Sequence, residues 1–353
     1  MTFDLNAYSL DSEGNYRDID GNVIFFSFER FKDDICKKGH CFVCGAPPSR
    51  AFNNEHVFPD WLIRHSGIHD KELTLINGNR VKYSTYKIPC CQTCNSRLAD
   101  VYETPISKVL CAGHDATRDY IVAGGRHKLC AWLSLVFLKV HLRDFKNNVS
   151  LDRRQDSGVI GDHYELSNLH HIHAVARSAT VGIEVAEDVL GTLLLLQLDP
   201  STMDDPFDYC DNLAGRTLLL QVNDLALIYV LDDCGATSTM LRERLKFLPN
   251  PLSEIQLREV YARHLAANIH IKDRPSFRTE LLGTAGKPRI TVQLPELDFH
   301  DYKPEIFGRM FAGALGNYSK VIMVNDKVGD DALKVIETGH ASFLFDEHGN
   351  IRD

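Results

Sequence analysis

Long hydrophobic runs are missing from this chain of 353 residues. The longest candidates, 189–198 and 129–138, have about half of the roughly 18 apolar residues that a membrane-spanning helix needs. The first residues, MTFDLNAYSLDSEGN, show no basic segment followed by an apolar one, so no secretory signal is expected. We therefore expect a cytoplasmic protein that makes no contact with a membrane.

Internal repeats, low-complexity stretches and nucleotide-hydrolysis motifs are also missing. The glycine-containing stretch AGGRHK at 123–128 does not match the G-x4-G-K-[ST] loop that holds phosphates. A nucleotide would have to come with a partner or bind without a recognisable motif.

An overall surplus of positive charge is missing as well, because the formal net charge is −9. The imbalance is confined to one part of the chain. Residues 1–148 carry 19 Lys and Arg against 17 Asp and Glu, whereas residues 149–353 carry 20 against 31. Since contact with phosphate depends on the local field, this balance neither excludes nor supports a nucleic-acid substrate.

The length and composition indicate a globular protein of about two domains. Hydrophobic residues make up 44% and charged residues 25% of the chain, which excludes wholesale disorder. The polar stretch KNNVSLDRRQDSG at 146–158 is the best candidate boundary. We therefore predict an α+β protein with a first domain over 1–148 and a mixed α+β second domain over 149–353.

Periodicity predicts a few elements within these domains. Leu129, Trp132 and Val136 share one face of a buried helix over 127–145, which would close the first domain. A second helix is predicted over 252–271, with Ser253 as its N-cap and Gln256 three residues later. Apolar runs predict strands in the following segments: 22–31, 172–186, 189–198, 215–231 and 288–297.

Cysteine is the abundant chemical signal, with ten residues. Because cytosolic thiols stay reduced, pairs of cysteines there favour metal binding over disulfides. Cys41-x-x-Cys44 and Cys91-x-x-Cys94 have the spacing of two metal knuckles. Four thiolates around one zinc leave no open position, so the ion would be structural.

Other residues near the two knuckles keep some alternatives open. Cys36 and Cys90 are close in sequence, but only Cys91 stands three residues before Cys94, so we expect the other two to be packing thiols. His40 could replace one ligand. Coincidental burial of all these thiols is the alternative to a metal site. The remaining cysteines are not paired by spacing and are expected in the core.

Inside this frame lies the stretch NNEHVFPDWL at 53–62, and Asn95 directly follows the last knuckle. The pattern C-x2-C, E-H-V-F-P, C-x2-C-N resembles the HNH (ββα-metal, His-Me finger) endonucleases, in particular the zinc-containing four-cysteine type. The resemblance covers residues 36–110. It implies two strands and a helix that carry the site, with a four-cysteine zinc that holds the strands to the helix.

The resemblance also implies roles for three residues. His56 would be the general base that activates water, and Glu55 and Asn95 would bind a catalytic divalent ion, Mg²⁺ or Mn²⁺. The chemistry is reasonable by itself, because neutral histidine accepts protons near pH 7 and carboxylate and amide oxygens suit Mg²⁺. Neighbours on a strand point to opposite faces, so a bend, set for example by Pro59, would be needed for Glu55 and His56 to serve one site.

Some positions depart from the family pattern. The middle asparagine of many HNH sequences is absent, and its place reads STYKIP at 84–89. The following helix lacks the usual lysine, and Arg97 is the candidate for phosphate binding there. Glu103, further along, could approach the metal or hold His56, but we expect it to be an exposed helix carboxylate.

The implied function is metal-dependent hydrolysis of nucleic-acid phosphodiesters, with DNA as the expected substrate. Larger bacterial HNH proteins with EHV-x-P-x-W motifs, some of them in anti-phage systems, are loosely similar and suggest defence as a setting. The second domain would serve regulation, substrate choice or assembly through a protein partner or a second copy. Two alternatives remain: a non-catalytic zinc module that binds DNA or protein, and a nuclease held inactive until its second domain meets a partner.

A histidine cluster, NLHHIHAVA at 168–176, is a separate candidate. On the predicted strand, His171 and His173 would share a face and could bind a metal. No carboxylate accompanies them, so core or surface histidines are the favoured interpretation.

Overall fold

A computed structural model describes residues 7–152, 154, 157–281 and 286–352. The chain forms two compact units. The first unit is drawn from Met1–Cys111, Tyr120–Val189 and Phe277–Thr291. The second is drawn from Ala112–Asp119, Leu190–Ser276 and Val292–Asp353.

The strands, in chain order, are β1 (Tyr8–Leu10), β2 (Tyr16–Asp18), β3 (Val23–Phe25), β4 (Phe52–His56), β5 (Glu72–Thr74), β6 (Arg80–Lys82), β7 (Lys87–Cys91), β8 (Glu184–Val185), β9 (Leu193–Gln197), β10 (Phe207–Asn212), β11 (Thr217–Val222), β12 (Leu225–Val230), β13 (Ser276–Glu280), β14 (Arg289–Gln293), β15 (Met323–Val324) and β16 (Lys327–Val328).

The α-helices are α1 (Phe28–Arg30), α2 (Asp60–His65), α3 (Gln92–Leu98), α4 (Thr104–Leu110), α5 (His114–Tyr120), α6 (Arg126–Asp144), α7 (Leu166–Val181), α8 (Ala236–Leu241), α9 (Glu254–His270), α10 (Pro304–Ala314) and α11 (Asp330–Glu337). Wider π-helical turns follow α1, α3 and α5 over Phe31–Lys38, Ala99–Glu103 and Ile121–Gly125. Short 3-10 turns lie at Tyr83–Thr85, Ile160–His163, Glu187–Val189, Pro200–Thr202 and Gly316–Lys320.

The mixed helix and strand content confirms the coarse fold class. The first unit contains several small sheets and the buried helix α6, which contacts α7 and β7. The predicted helix over 127–145 is confirmed as α6, and its predicted apolar residues Leu129, Trp132 and Val136 are buried. In all, 14 of the 19 residues of α6 are buried, so this helix is the core of the unit.

The prediction of a strand over 172–186 is wrong for most of its length. Residues 166–181 form α7, which packs along α6. Leu169, Ile172 and Ala176 are buried at helical spacing, and Gly182 ends the helix with a φ of 74°. The β-branched residues here suggested a strand, but packing against another helix decides the conformation of such a short segment.

The first unit extends beyond the predicted boundary at 148/149. Residues up to Val189 belong to it, because α7 packs on α6 and β8 pairs in parallel with β14. The polar stretch at 146–158 is therefore a connection inside this unit. Polar composition marks a surface segment, and the sequence does not show whether the next helix returns to the same core.

The second unit is built on an antiparallel sheet with the strand order β10–β11–β12–β9. Strands β11 and β12 are buried along their whole length, which confirms the strands predicted within 215–231, and β9 confirms the one predicted within 189–198. The predicted helix over 252–271 is confirmed as α9. Its first turn has the expected capping box, in which Ser253 and Gln256 each accept the other's backbone N–H.

One helical stretch, His114–Asp144, is long and apolar enough by composition to cross a membrane. It spans α5, a π-helical turn and α6, and 56% of its most apolar window is buried inside the fold. A core helix of a soluble protein has these properties, so the stretch is consistent with a soluble protein.

Candidate functional site

The four cysteines of the two predicted knuckles converge in the first unit. The Sγ atoms of Cys41, Cys44, Cys91 and Cys94 all lie within 4.8 Å of one another. Within the described part of the chain, this is the group of His, Cys, Asp or Glu side chains that could hold a metal ion. Four sulfurs at this spacing fit the tetrahedral coordination of zinc.

The titration of these thiols also fits a cation. Hydrogen bonds from Cys44 and its neighbours hold the pKa of Cys41 far below its ordinary range. The contact with Cys41 raises the pKa of Cys44 to about 12, and contacts with Cys41 and Cys44 raise the pKa of Cys94. Thiolates so close together repel one another, whereas a bound divalent ion would stabilise them.

Local backbone geometry explains the first knuckle. Gly45 has a φ of 76°, and a Cβ at this position would lie 2.7 Å from the Phe26 ring. Its N–H donates to the carbonyl of Cys41 at 2.7 Å, and the N–H of Cys41 donates to the carbonyl of Ala46 at 2.9 Å. Glycine therefore allows the tight turn that directs both sulfurs to one point.

Side chains of helix α7 hold the backbone of this knuckle by hydrogen bonds. His173 donates to the carbonyl of Phe42 at 2.6 Å, and Arg177 donates to the carbonyls of Val43 at 2.6 Å and Val23 at 2.7 Å. His170, one turn earlier, donates to the carbonyl of Phe26 at 2.9 Å. The sequence interpretation missed this role, although the spacing of 170, 173 and 177 is helical.

The contacts of the histidine cluster at 168–176 are thus structural. His171 does not share a strand face with His173, because both lie on α7, and its ring stacks on Phe277 at 3.5 Å between centroids. Burial lowers the pKa of His173 well below its usual value, so this histidine is neutral. Within the described residues the three histidines form no metal-ligand group.

The neighbours of the cysteine cluster have other contacts. Cys90 is fully buried, and its Sγ lies 3.8 Å from that of Cys41. Cys36 is buried, and burial raises its pKa to about 12. His40 donates to the carbonyl of Gly45 at 3.0 Å. These contacts agree with packing thiols at 36 and 90 and place His40 outside the ligand set.

Two strands and a helix carry the predicted catalytic residues. β4 and β7 pair in antiparallel register, with Phe52 opposite Cys91 and His56 opposite Lys87. Helix α3 begins at Gln92, the residue after β7. The cysteine cluster joins the end of β7 and the start of α3 to the first knuckle, so it fixes the hairpin relative to the helix.

Glu55 and His56 point to opposite faces of β4. Glu55 is buried at 6% exposure and pairs with Lys139 of α6 through a contact of 2.8 Å between Oε1 and Nζ. Lys139 is completely buried, and it also donates to the carbonyl of His56 at 2.8 Å. The strand stays regular through His56, so a bend at Pro59 does not bring both side chains to one side.

Glu103 joins the buried ion pair, contrary to the expectation of an exposed carboxylate. Its Oε1 is shielded from solvent, and the charges of Lys139 and Glu55 act on its carboxyl group. Burial raises the pKa of Glu103 to about 7, with Glu55 adding to the increase and Lys139 opposing it. Lys139 could not be connected to Glu55 from sequence, since their separation carries no spacing signal.

His56 keeps access to solvent. Its side chain is 20% exposed, and its Nε2 lies 3.9 Å from Oδ1 of Asp60. Burial lowers the pKa of His56, and the positive charge of Lys87 across the hairpin lowers it further. The imidazole is therefore neutral at pH 7 and able to accept a proton.

Asn95 and Arg97 lie on α3. Asn95 donates to Oδ1 of Asn53 at 3.0 Å, and Asn53 shares a strand face with Glu55 because the two are two residues apart. Arg97 is exposed on the same helix. The structure thus brings Asn95 to the face of the hairpin that carries Glu55, whereas His56 lies on the other face.

No protein-family model matches this chain, and no curated protein or solved structure matches it significantly.

Replacing Glu103 with glutamine should remove a pH dependence of stability. In the wild type the folded pKa of about 7 exceeds the ordinary 4.5, so the folded state binds the proton more tightly and stability is lost as the pH rises from about 4.5 through 7. Glutamine keeps a donor to Glu55 without ionising. The variant should gain up to about 3 kcal/mol over the wild type between pH 5 and pH 8.

Urea unfolding followed by tryptophan fluorescence measures this difference, because both tryptophans, Trp61 and Trp132, belong to the first unit. Asp100 is an exposed carboxylate on the same π-helical turn, so Asp100→Asn is the control and should follow the wild type. Parallel pH profiles of the wild type and Glu103→Gln would show that Glu103 titrates normally.

Proposed function

We propose that the first unit hydrolyses nucleic-acid phosphodiesters, with DNA as the substrate and His56 as the general base. The observation that carries this proposal is a neutral, solvent-accessible histidine on a hairpin that the four-cysteine cluster joins to a helix. A rigid element is what a general base needs, because proton transfer is sensitive to position.

The reaction follows from the charges around His56. Its imidazole takes a proton from a water molecule, and the water oxygen forms a bond to phosphorus as one P–O ester bond breaks. The departing oxygen takes a proton from solvent. Lys87, directly opposite His56 in the strand pairing, places a positive charge near the site where negative charge develops on the phosphate.

A zinc ion fits the four cysteines, which would hold it in a purely structural role. A catalytic divalent ion held by Glu55 and Asn95 does not fit the present arrangement, since the Glu55 carboxylate already carries the Lys139 ammonium group. Binding of Mg²⁺ or Mn²⁺ there would require Glu55 to exchange Lys139 for the ion. The role of His56 does not depend on that exchange, and we propose the metal requirement only as part of the cleavage test below.

The same ion pair favours a second candidate function, a zinc-stabilised module that binds DNA or protein without cutting it. In this alternative, Glu55 is a structural residue that anchors β4 to α6. The two functions differ in a measurable way, because a binding module would need zinc alone and would leave the substrate intact.

Cleavage of supercoiled plasmid tests the proposal, with separate reactions in Mg²⁺, in Mn²⁺ and without an added divalent ion. We expect the wild type to relax or linearise the plasmid and His56→Ala to be slower by at least about 100-fold, the usual contribution of a general base. Both proteins should retain zinc by mass spectrometry.

His69→Ala is the matched control, because His69 belongs to the same unit and its side chain is 37% exposed beside Asp70. It should cut at the wild-type rate. Equal cleavage by His56→Ala and the wild type would refute the role of His56. Intact plasmid in every ion, with zinc present, would favour the binding module.

A further inference from the structure

A cavity of about 550 Å³ opens beside the β4–β7 hairpin in the first unit. It lies between the hairpin, the end of α6 and the residues that follow the π-helical turn 31–38. Its polar lining includes His40, Asn54, Thr85, Lys87, Arg143 and Lys146. Within the described residues, no Asp or Glu lines it.

The three cations of this cavity differ from most cations of the first unit. Lys37 and Lys38, on the adjacent helical turn, each pair with an aspartate. Within the described chain, Lys87, Arg143 and Lys146 have no carboxylate partner. Their charges therefore remain uncompensated and act together in one concave, partly apolar space, where field lines are concentrated.

The fold positions these cations from two different elements. Arg143 and Lys146 follow one another at a spacing of three near the end of α6, and the Arg143 guanidinium lies over the Tyr86 ring at 5.8 Å. The Lys146 Nζ lies beside Gly39, since a Cβ built on Gly39 would be 3.2 Å from it. Glycine at position 39 thus leaves room for the ammonium group.

The cavity is also connected to His56. Directly opposed residues of an antiparallel pair share a face, and β4 pairs with β7 so that Asn54 lies opposite Pro89 and His56 opposite Lys87. Asn54, Lys87, Pro89 and also Ile88, which lies opposite Glu55, line the cavity. His56 is not one of the lining residues, but its direct strand partner Lys87 is.

We propose that this cavity binds the phosphodiester backbone of a nucleic acid and that Lys87, Arg143 and Lys146 contact its phosphates. The inference rests on the proposed function and extends it, because it names the surface that presents a phosphate to His56. An arginine fork and two lysine charges are the side chains that hold phosphate oxygens. A volume of this size lies within the usual range of small-ligand sites.

Binding of a short fluorescein-labelled DNA duplex to the His56→Ala protein tests this proposal without cleavage. Anisotropy is measured without added divalent ion, over a series of salt concentrations. Lys87→Gln, Arg143→Gln and Lys146→Gln should each weaken binding about fivefold at low salt and lower the slope of log Kd against log salt by about 0.9.

Lys108→Gln is the matched control, because Lys108 is an exposed lysine on α4, outside the cavity. It should leave the affinity and the slope unchanged apart from the small non-specific effect of one charge. Zinc content and tryptophan fluorescence confirm that each variant is folded. Equal loss of affinity in Lys108→Gln and the cavity variants would overturn the proposal, and so would wild-type binding by the cavity variants.

Inorganic phosphate and a nucleoside monophosphate serve as competitors. Weak competition, with loss of DNA binding in the cavity variants, supports the polynucleotide backbone as the ligand. Tight binding of the mononucleotide, with DNA binding unchanged in the variants, would assign the cavity to a free nucleotide and overturn the proposal. Binding and cleavage are measured separately. If the wild type never cuts DNA but the cavity variants lose DNA binding, hydrolysis is rejected and the binding cavity is retained.

Discussion

Replacing Cys94 with alanine should remove the metal from the first unit and release the β4–β7 hairpin from α3. The four sulfurs lie on segments about 50 residues apart in sequence, and they meet within 4.8 Å. In small zinc modules the ion supplies on the order of 10 kcal/mol of folding free energy. Here α6 has its own apolar core, so we expect local unfolding of the hairpin rather than loss of the whole unit.

Mass spectrometry and hydrogen exchange measure the two consequences. The wild type should contain about one zinc ion per chain, and Cys94→Ala should contain almost none. The amides of β4 and β7 should lose protection in the variant, whereas those of α6 should keep most of theirs.

Cys90→Ala is the sharpest control for this prediction. Cys90 is fully buried and its Sγ lies 3.8 Å from Cys41, yet it stands outside the group of four. It should keep its zinc and its exchange protection. Loss of zinc in Cys90→Ala with retention in Cys91→Ala would show that the ligand register is shifted by one residue.

Replacing Lys139 with methionine should destabilise the first unit by about 3–5 kcal/mol, because it leaves the buried Glu55 carboxylate without its partner. Lys139 is completely buried, with Nζ at 2.8 Å both from Glu55 and from the carbonyl of His56. Methionine has a similar length and no charge, so the cost comes from electrostatics more than from a cavity. Urea unfolding followed by tryptophan fluorescence gives the difference.

Two companion variants separate this ion pair from simple packing. Glu55→Gln should cost less than Lys139→Met, because Glu103 lies beside Lys139 and can ionise in place of Glu55. The double variant Glu55→Gln/Lys139→Met should recover part of the stability, since neutral partners of similar volume can replace a buried pair. A loss below about 1 kcal/mol in Lys139→Met would show that the pair is not buried in solution.

The ion pair also bears on the proposed chemistry. If Mg²⁺ or Mn²⁺ displaces Lys139 from Glu55, the stability of Lys139→Met should rise with the ion more than that of the wild type, because a vacant carboxylate binds the ion without competition. This comparison connects the structural role of Glu55 to the metal requirement of cleavage.

The short-range features of this protein could be predicted from its sequence. Two Cys-x-x-Cys pairs predict convergent sulfurs, because two intervening residues let both sulfurs of a pair point at one ion. The buried helices α6 and α9 follow from apolar residues at helical spacing, and the start of α9 follows from Ser253 and Gln256. Each of these rests on contacts within a few residues, where local geometry decides the outcome.

Only the tertiary structure decided which distant residues contact each of these features. The sequence pattern around Glu55 predicts a metal ligand. In the structure its partner is Lys139, which is 84 residues away and is brought to it by the packing of α6. The sequence pattern of residues 172–181 predicts a strand. They form a helix because packing against α6 stabilises that conformation. The sequence by itself determined the cysteine cluster. Burial and long-range pairing, which depend on the whole core, determined the partners of Glu55, the extent of the first unit and the basic cavity beside the hairpin.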